Sequence, residues 1–108
     1  MKPPNSKPYK ACPFRRKSAA GWLGASTPEE FVDTALADVY MPCHLEVDYE
    51  DAYWQDNLPR VHQCAGRAIF LSNTCKAPRD KTIVRLPPNT TDVFSNKQEF
   101  LEHHNELS

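Results

Sequence analysis

The residues of this 108-residue chain best suited to chemistry are four cysteines and a histidine: Cys12, Cys43, His44, Cys64 and Cys75. Each lies in a short segment dense in proline, glycine or basic residues: Cys12-Pro13-Phe14-Arg15-Arg16, Met41-Pro42-Cys43-His44, Cys64-Ala65-Gly66 and Asn73-Thr74-Cys75-Lys76. Thiolate and imidazole donors drawn from distant parts of a small chain suit a single zinc ion, which takes four such ligands at about 2.0–2.3 Å. An iron–sulfur cluster is the second cofactor this donor set could hold, since Cys-Pro dipeptides and thiolate ligands also serve clusters.

Geometry limits which of the five can act together. If residues 64–75 form one continuous helix, eleven steps of about 1.5 Å part Cys64 from Cys75 by roughly 16 Å. Two sulfurs on one zinc lie only about 4 Å apart, so Cys75 then serves only if the chain loops back. Cys43 and His44 are adjacent, and on extended chain their side chains point to opposite faces. Two sets remain: Cys12, Cys64 and Cys75 with either Cys43 or His44, or Cys12, Cys43, His44 and Cys64 with a local turn. No Cys-x-x-Cys pair is present. The competing reading is of reduced, buried cysteines acting as small hydrophobes.

The elements that must position these residues come from capping and periodicity. Thr27, Pro28 and Glu30 form a capping box with proline at the first helical position. Phe31, Ala35, Leu36 and Val39 follow at helical spacing, which predicts a helix over 28–40 ended by Pro42. Cys43-His44 then falls on extended chain. Residues 18–25 read as a glycine-bounded loop pinned by Trp22-Leu23, and 45–63 as a loop with one short helical turn. A buried helix is expected from Cys64 to Ser72 with Asn73 as its cap. Thr82–Leu86 reads as a strand stopped by Pro87-Pro88. Ser95 and Gln98 form a second capping box, before a terminal helix whose stripe is Phe100, Leu101, His104 and Leu107. His62, His103 and His104 are expected on the surface.

Composition supports one small domain. Forty per cent of residues are apolar, while ten prolines and a mean hydropathy of -0.65 point to much irregular chain. A metal link would offset the modest core. No stretch is long and apolar enough for a membrane span. No secretory signal is visible, so the cysteines read as cytoplasmic thiols or ligands rather than disulfides. Net charge is -1 but segregated. Residues 1–28 hold six Lys or Arg and no acid, whereas 29–59 hold nine acids and no Lys or Arg. The basic arm is expected to neutralise the acidic middle, with Arg15 pairing to Asp48, Asp51 or Asp80.

Three other chemistries fit parts of the chain. His44-Leu45-Glu46 matches the His-x-Glu half of a zinc deaminase, but the Pro-Cys-x-x-Cys half is missing, so Glu46 reads as a solvated acid. Cys12 or Cys43 could be a nucleophile activated by Arg15, Arg16 or His44, although no third orienting group is visible. Nucleic acid could bind the basic arm, Arg67, Lys76 and Arg79, with Tyr9, Phe14 and Trp22 stacking on bases.

Cys12-Pro13-Phe14-Arg15, Gly21-Trp22, Pro42-Cys43-His44, Cys64-Ala65-Gly66 and Cys75-Lys76-x-Pro78-Arg79-Asp80 together resemble a family of small phage and actinobacterial proteins. That family is catalogued as a domain of unknown function, and the likeness covers about residues 11–80. The resemblance implies a shared set at Cys12, Cys43, His44 and Cys64, with the Cys75-Lys76 element belonging to the phage-type members.

The expectation is therefore a loop-rich α+β domain over residues 11–108, behind a flexible basic arm at 1–10. It has two or three helices and a short sheet element, and is stapled by a Cys/His metal site. Its expected role is a cytoplasmic, zinc-binding binding or regulatory module with a protein partner rather than an enzyme. If phage-encoded, it would act in the host cytoplasm on a host factor. A nucleic-acid-binding zinc protein, or a cysteine- or zinc-dependent enzyme, is the alternative.

Overall fold

The computed structural model describes residues 1–43, 45–47 and 50–105. Four α-helices follow in chain order: α1 (Pro28–Leu36), α2 (Trp54–Asn57), α3 (Ala65–Asn73) and α4 (Lys97–His104). A 3₁₀ turn over Leu58–Arg60 continues α2, the short helical stretch expected between 45 and 63. α1 packs against both α3 and α4.

The α+β expectation is overturned, because the described residues contain no sheet. Extended chain meets only at isolated bridges, Lys2 with His62, Arg15 with Val93 and Pro42 with Gln63. The expected strand at Thr82–Leu86 is instead a turn at Thr82 and Ile83 running into irregular chain, held by a side chain and not by a neighbouring strand. The Gln63 amide donates to the Thr82 carbonyl at 2.7 Å and accepts from the Val84 N–H at 3.1 Å. One buried glutamine thus fills the ladder positions that a partner strand would need.

A metal staple is likewise not what closes this fold. Among the described residues, no group of three or more His, Cys, Asp or Glu is arranged to hold an ion. Cohesion comes from phenylalanines. Phe14 is fully buried, with its ring 5.5 Å from Phe31, 5.5 Å from Phe70 and 5.6 Å from Phe100. Phe31 stacks on Phe100 at 5.8 Å, and Phe94 meets Phe100 edge-on at 5.7 Å. Such pairs add about 0.5–1.5 kcal/mol each beyond the area they bury.

α1 forms for the local reasons its sequence supplies. The Thr27 side chain accepts the Glu30 N–H at 3.1 Å, and the Glu30 carboxylate accepts the Thr27 N–H at 3.1 Å. The helix ends at Leu36, short of the expected residue 40, since Ala37 is already extended. Arg67 takes the Ala35 and Ala37 carbonyls there, both at 2.8 Å. Val39 therefore leaves the apolar stripe and is exposed.

α4 starts one residue later than its expected cap. Asn96, not Ser95, accepts the Glu99 N–H at 2.9 Å, while the Glu99 carboxylate accepts the Ser95 N–H at 2.7 Å. Phe100 and His104 are buried and Leu101 is partly so; Leu107 lies outside the described residues.

Among the described residues, Arg15 and Arg16 of the basic N-terminal third pair with the C-terminal quarter. Arg15 meets Asp92 at 3.1 Å, and Arg16 grips Glu99 through two nitrogens at 3.2 and 2.9 Å. Lys97 reaches Asp33 of α1 at 2.7 Å. Lys2 donates to the Val61 carbonyl and accepts from the Gln63 N–H, at 2.8 and 2.9 Å. Of the Trp22-Leu23 pair expected to pin the 18–25 loop, only Leu23 is buried; Trp22 is 77% exposed.

Candidate metal centre

Two of the five predicted donors, Cys12 and Cys64, border the first turn of α3. A third, Cys43, lies within electrostatic reach of them without completing a metal-holding group among the described residues. Cys64 is the N-cap of that helix, and its sulfur accepts the Arg67 N–H at 3.4 Å. Cys12 arrives from the Tyr9–Arg15 turn, where the Cys12 N–H donates to the Tyr9 carbonyl at 3.1 Å. Its sulfur lies over Gly66, only 2.4 Å from where a Cβ on that residue would sit. Any larger residue would have to displace the sulfur, so the glycine is what admits Cys12. The Cys12 and Cys64 sulfurs thus border the same Gly66–Arg67 turn, near enough to shift each other's titration.

Cys43 is brought alongside by backbone pairing. The Cys64 N–H donates to the Met41 carbonyl at 2.8 Å, and the Cys43 N–H donates to the His62 carbonyl at 2.9 Å. Cys43 is buried and within electrostatic reach of both other sulfurs. His44 lies outside the described residues.

Cys75 does not join them. α3 runs unbroken from Ala65 to Asn73 and is capped by Thr74, so the helical rise puts Cys75 roughly 16 Å from Cys64. Cys75 is exposed and sits in the left-handed conformation at φ 59°.

The electrostatics of the three thiols differ. The neighbouring Cys12 thiol, helped by the Gly66 and Arg67 N–H groups and the Arg67 charge, lowers the Cys64 thiol below its ordinary value against its burial. Cys12 is pushed the other way, chiefly by the neighbouring Cys64 sulfur and then by burial. Burial also raises Cys43. Tyr9 is pushed up to about 12, by burial first and then by the neighbouring thiols. Of the three thiols, Cys64 at the positive end of a helix is the one whose proton is held less tightly than usual.

Arg67 is the residue that sequence reasoning placed wrongly. Counted among surface cations for nucleic acid, it is 2% exposed, and its guanidinium bonds only backbone carbonyls among the described residues. A buried cation calls for a counter-charge, and Cys64 interacts with it electrostatically. The legible signal was Arg67 lying three residues after Cys64, one helical turn along, inside an apolar run.

Other expected site neighbours also fall elsewhere. Glu46 is no free acid: its carboxylate meets His62 Nδ1 at 2.8 Å and accepts from the Asn5 amide at 3.5 Å. His103 and His104 do not point to solvent. His103 bonds the Ser18 carbonyl at 2.7 Å, and His104 is buried between Gly21 and Pro13.

No protein-family model, no curated protein and no solved structure matches this chain. These comparisons neither support nor oppose the motif resemblance to the phage and actinobacterial family. No helix among the described residues is long and apolar enough to cross a membrane.

Proposed function

We propose that the chain is a small metal-binding module. In this reading, Cys12 and Cys64 anchor one zinc ion, Cys43 is the third thiolate and His44 the fourth ligand. The observation that carries the reading is the meeting of two buried cysteine side chains, 52 positions apart in sequence, at one helix N-terminus. Two thiolates of one zinc lie about 4 Å apart, and both of these sulfurs border the same Gly66–Arg67 turn.

Charge balance favours the same set. Zinc with three thiolates and a neutral imidazole carries one net negative charge, and the buried Arg67 guanidinium supplies one positive charge beside Cys64. The ion is a guest of a domain closed by its phenylalanines. A nucleophile role has less support, because Cys12 and Cys43 both hold their protons more tightly than an ordinary thiol.

The test is native mass spectrometry of the reduced chain after incubation with zinc and buffer exchange. One ion per chain supports the module, and a metal-free mass with reduced, folded protein removes it. Strong visible absorbance from the purified protein would replace zinc with an iron–sulfur cluster.

A further inference from the structure

We propose that Cys12 and Cys64 are also a two-electron redox couple: oxidation joins them in a disulfide and takes both away as metal ligands. The inference depends on the metal-binding reading for its consequence but not for its chemistry. What carries it is the same placement seen as a reaction geometry. Both sulfurs border the first turn of α3, with Cys12 packed over Gly66 and Cys64 held by the Arg67 N–H at 3.4 Å. Both residues are fixed by backbone bonds, Cys12 to Tyr9 and Arg15, Cys64 to Met41 and Ala68. Neither sulfur needs a long excursion to reach the other. Cys75, exposed at the far end of α3, has no such neighbour among the described cysteines and would oxidise alone.

The oxidant is a hydroperoxide, for which hydrogen peroxide stands as the small probe. The Cys64 sulfur attacks one peroxide oxygen. An S–O bond forms, the O–O bond breaks, and the departing oxygen leaves as water with the thiol proton. The Cys12 sulfur then attacks the Cys64 sulfur, forming the S–S bond as the S–O bond breaks. The hydroxyl leaves as a second water with the Cys12 proton. Two thiols and one peroxide give one disulfide and two waters, and two electrons pass from sulfur to oxygen.

In the experiment, the reduced full-length chain is treated with hydrogen peroxide, alkylated and digested without reductant, and its peptides are mapped by mass spectrometry. The Cys12 and Cys64 peptides are expected cross-linked, separable by dithiothreitol, and still linked in Cys75→Ser. Recovery of both as alkylated thiols while Cys75 is oxidised overturns the inference, as does a Cys43–Cys64 link in their place. A parallel sample loaded with zinc should release the ion in proportion to the cross-link. Retention of zinc by fully cross-linked chain overturns the switch. A chain that cross-links but never takes up zinc keeps the redox couple and removes only the metal reading. The reverse pattern, zinc uptake without the link, removes the couple alone.

Discussion

The Arg67 N–H donates to the Cys64 sulfur at 3.4 Å, while the guanidinium of the same residue bonds the Ala35 carbonyl at 2.8 Å. One residue thus ties the candidate site, held through its backbone, to the C-terminal end of α1, held through its side chain, where helix carbonyls lack intrahelical partners. Replacing the side chain keeps the bond to Cys64 and removes the guanidinium's bonds to α1. Arg67→Ala leaves the Ala35 and Ala37 carbonyls without their donor and is expected to cost about 3 kcal/mol, read from urea unfolding midpoints. Arg67→Lys should recover only part, because an ammonium cannot reproduce the planar fork that reaches two carbonyls.

Gly66 gives a finer probe of the same corner. A methyl group there would meet the Cys12 sulfur at 2.4 Å and the Phe14 Cβ at 3.0 Å. Gly66→Ala should therefore destabilise by about 1–3 kcal/mol despite alanine's better helix propensity. It should also weaken zinc uptake, since Cys12 is the group displaced. A gain in stability with unchanged zinc binding would show that Cys12 does not sit over this glycine.

The aromatic cluster predicts a sharp contrast between two exchanges. Phe100 is fully buried among four other phenylalanine rings, so Phe100→Ala should cost about 3–5 kcal/mol. Trp22 is 77% exposed, and Trp22→Ala should stay within about 0.5 kcal/mol of the parent chain. Chemical denaturation of the three proteins decides it.

Stability should also depend on His104. Its Nδ1 accepts the Gly21 N–H at 3.0 Å and its Nε2–H donates to the Pro13 carbonyl at 2.8 Å, an arrangement only the neutral ring can make. Burial, with His103 beside it, holds its pKa below the ordinary 6.5. The unfolded chain therefore binds the proton first. This residue's contribution is intact above about 6.5 and is lost as pH falls from there through the lower folded value. Unfolding midpoints measured from neutral to mildly acidic pH should fall, and His104→Gln should flatten that slope.

Local signals were the legible ones. Thr27, Pro28 and Glu30 announce α1 because a capping box is complete within four residues. The α4 cap is displaced by one because Ser95 and Asn96 are both capping residues, and one carboxylate, Glu99, decides between them. The strand at 82–86 misleads because its pattern reads as extended chain, whereas the segment turns at Thr82 and Ile83 and its bonding partner is the Gln63 side chain, nineteen positions before Thr82. The helix end at Leu36 depends on Arg67, thirty-two positions beyond Ala35, and no local rule contains that contact. Of the site, spacing alone left Cys75 and Cys43 open. The unbroken α3 separates the first from Cys64, and the Pro42–Gln63 bridge brings the second near.

The central claim is that Cys12, Cys43 and Cys64 act as ligands of one ion while Cys75 does not. Titrating the reduced chain with cobalt, a spectroscopic stand-in for zinc, reads this directly, because thiolate-to-cobalt charge transfer counts the bound sulfurs. The band should saturate at one equivalent, lose one ligand's share in Cys43→Ser, largely vanish in Cys12→Ser or Cys64→Ser, and be unchanged in Cys75→Ser. An undiminished band in Cys12→Ser or Cys64→Ser, or no band from the parent chain, would contradict the account.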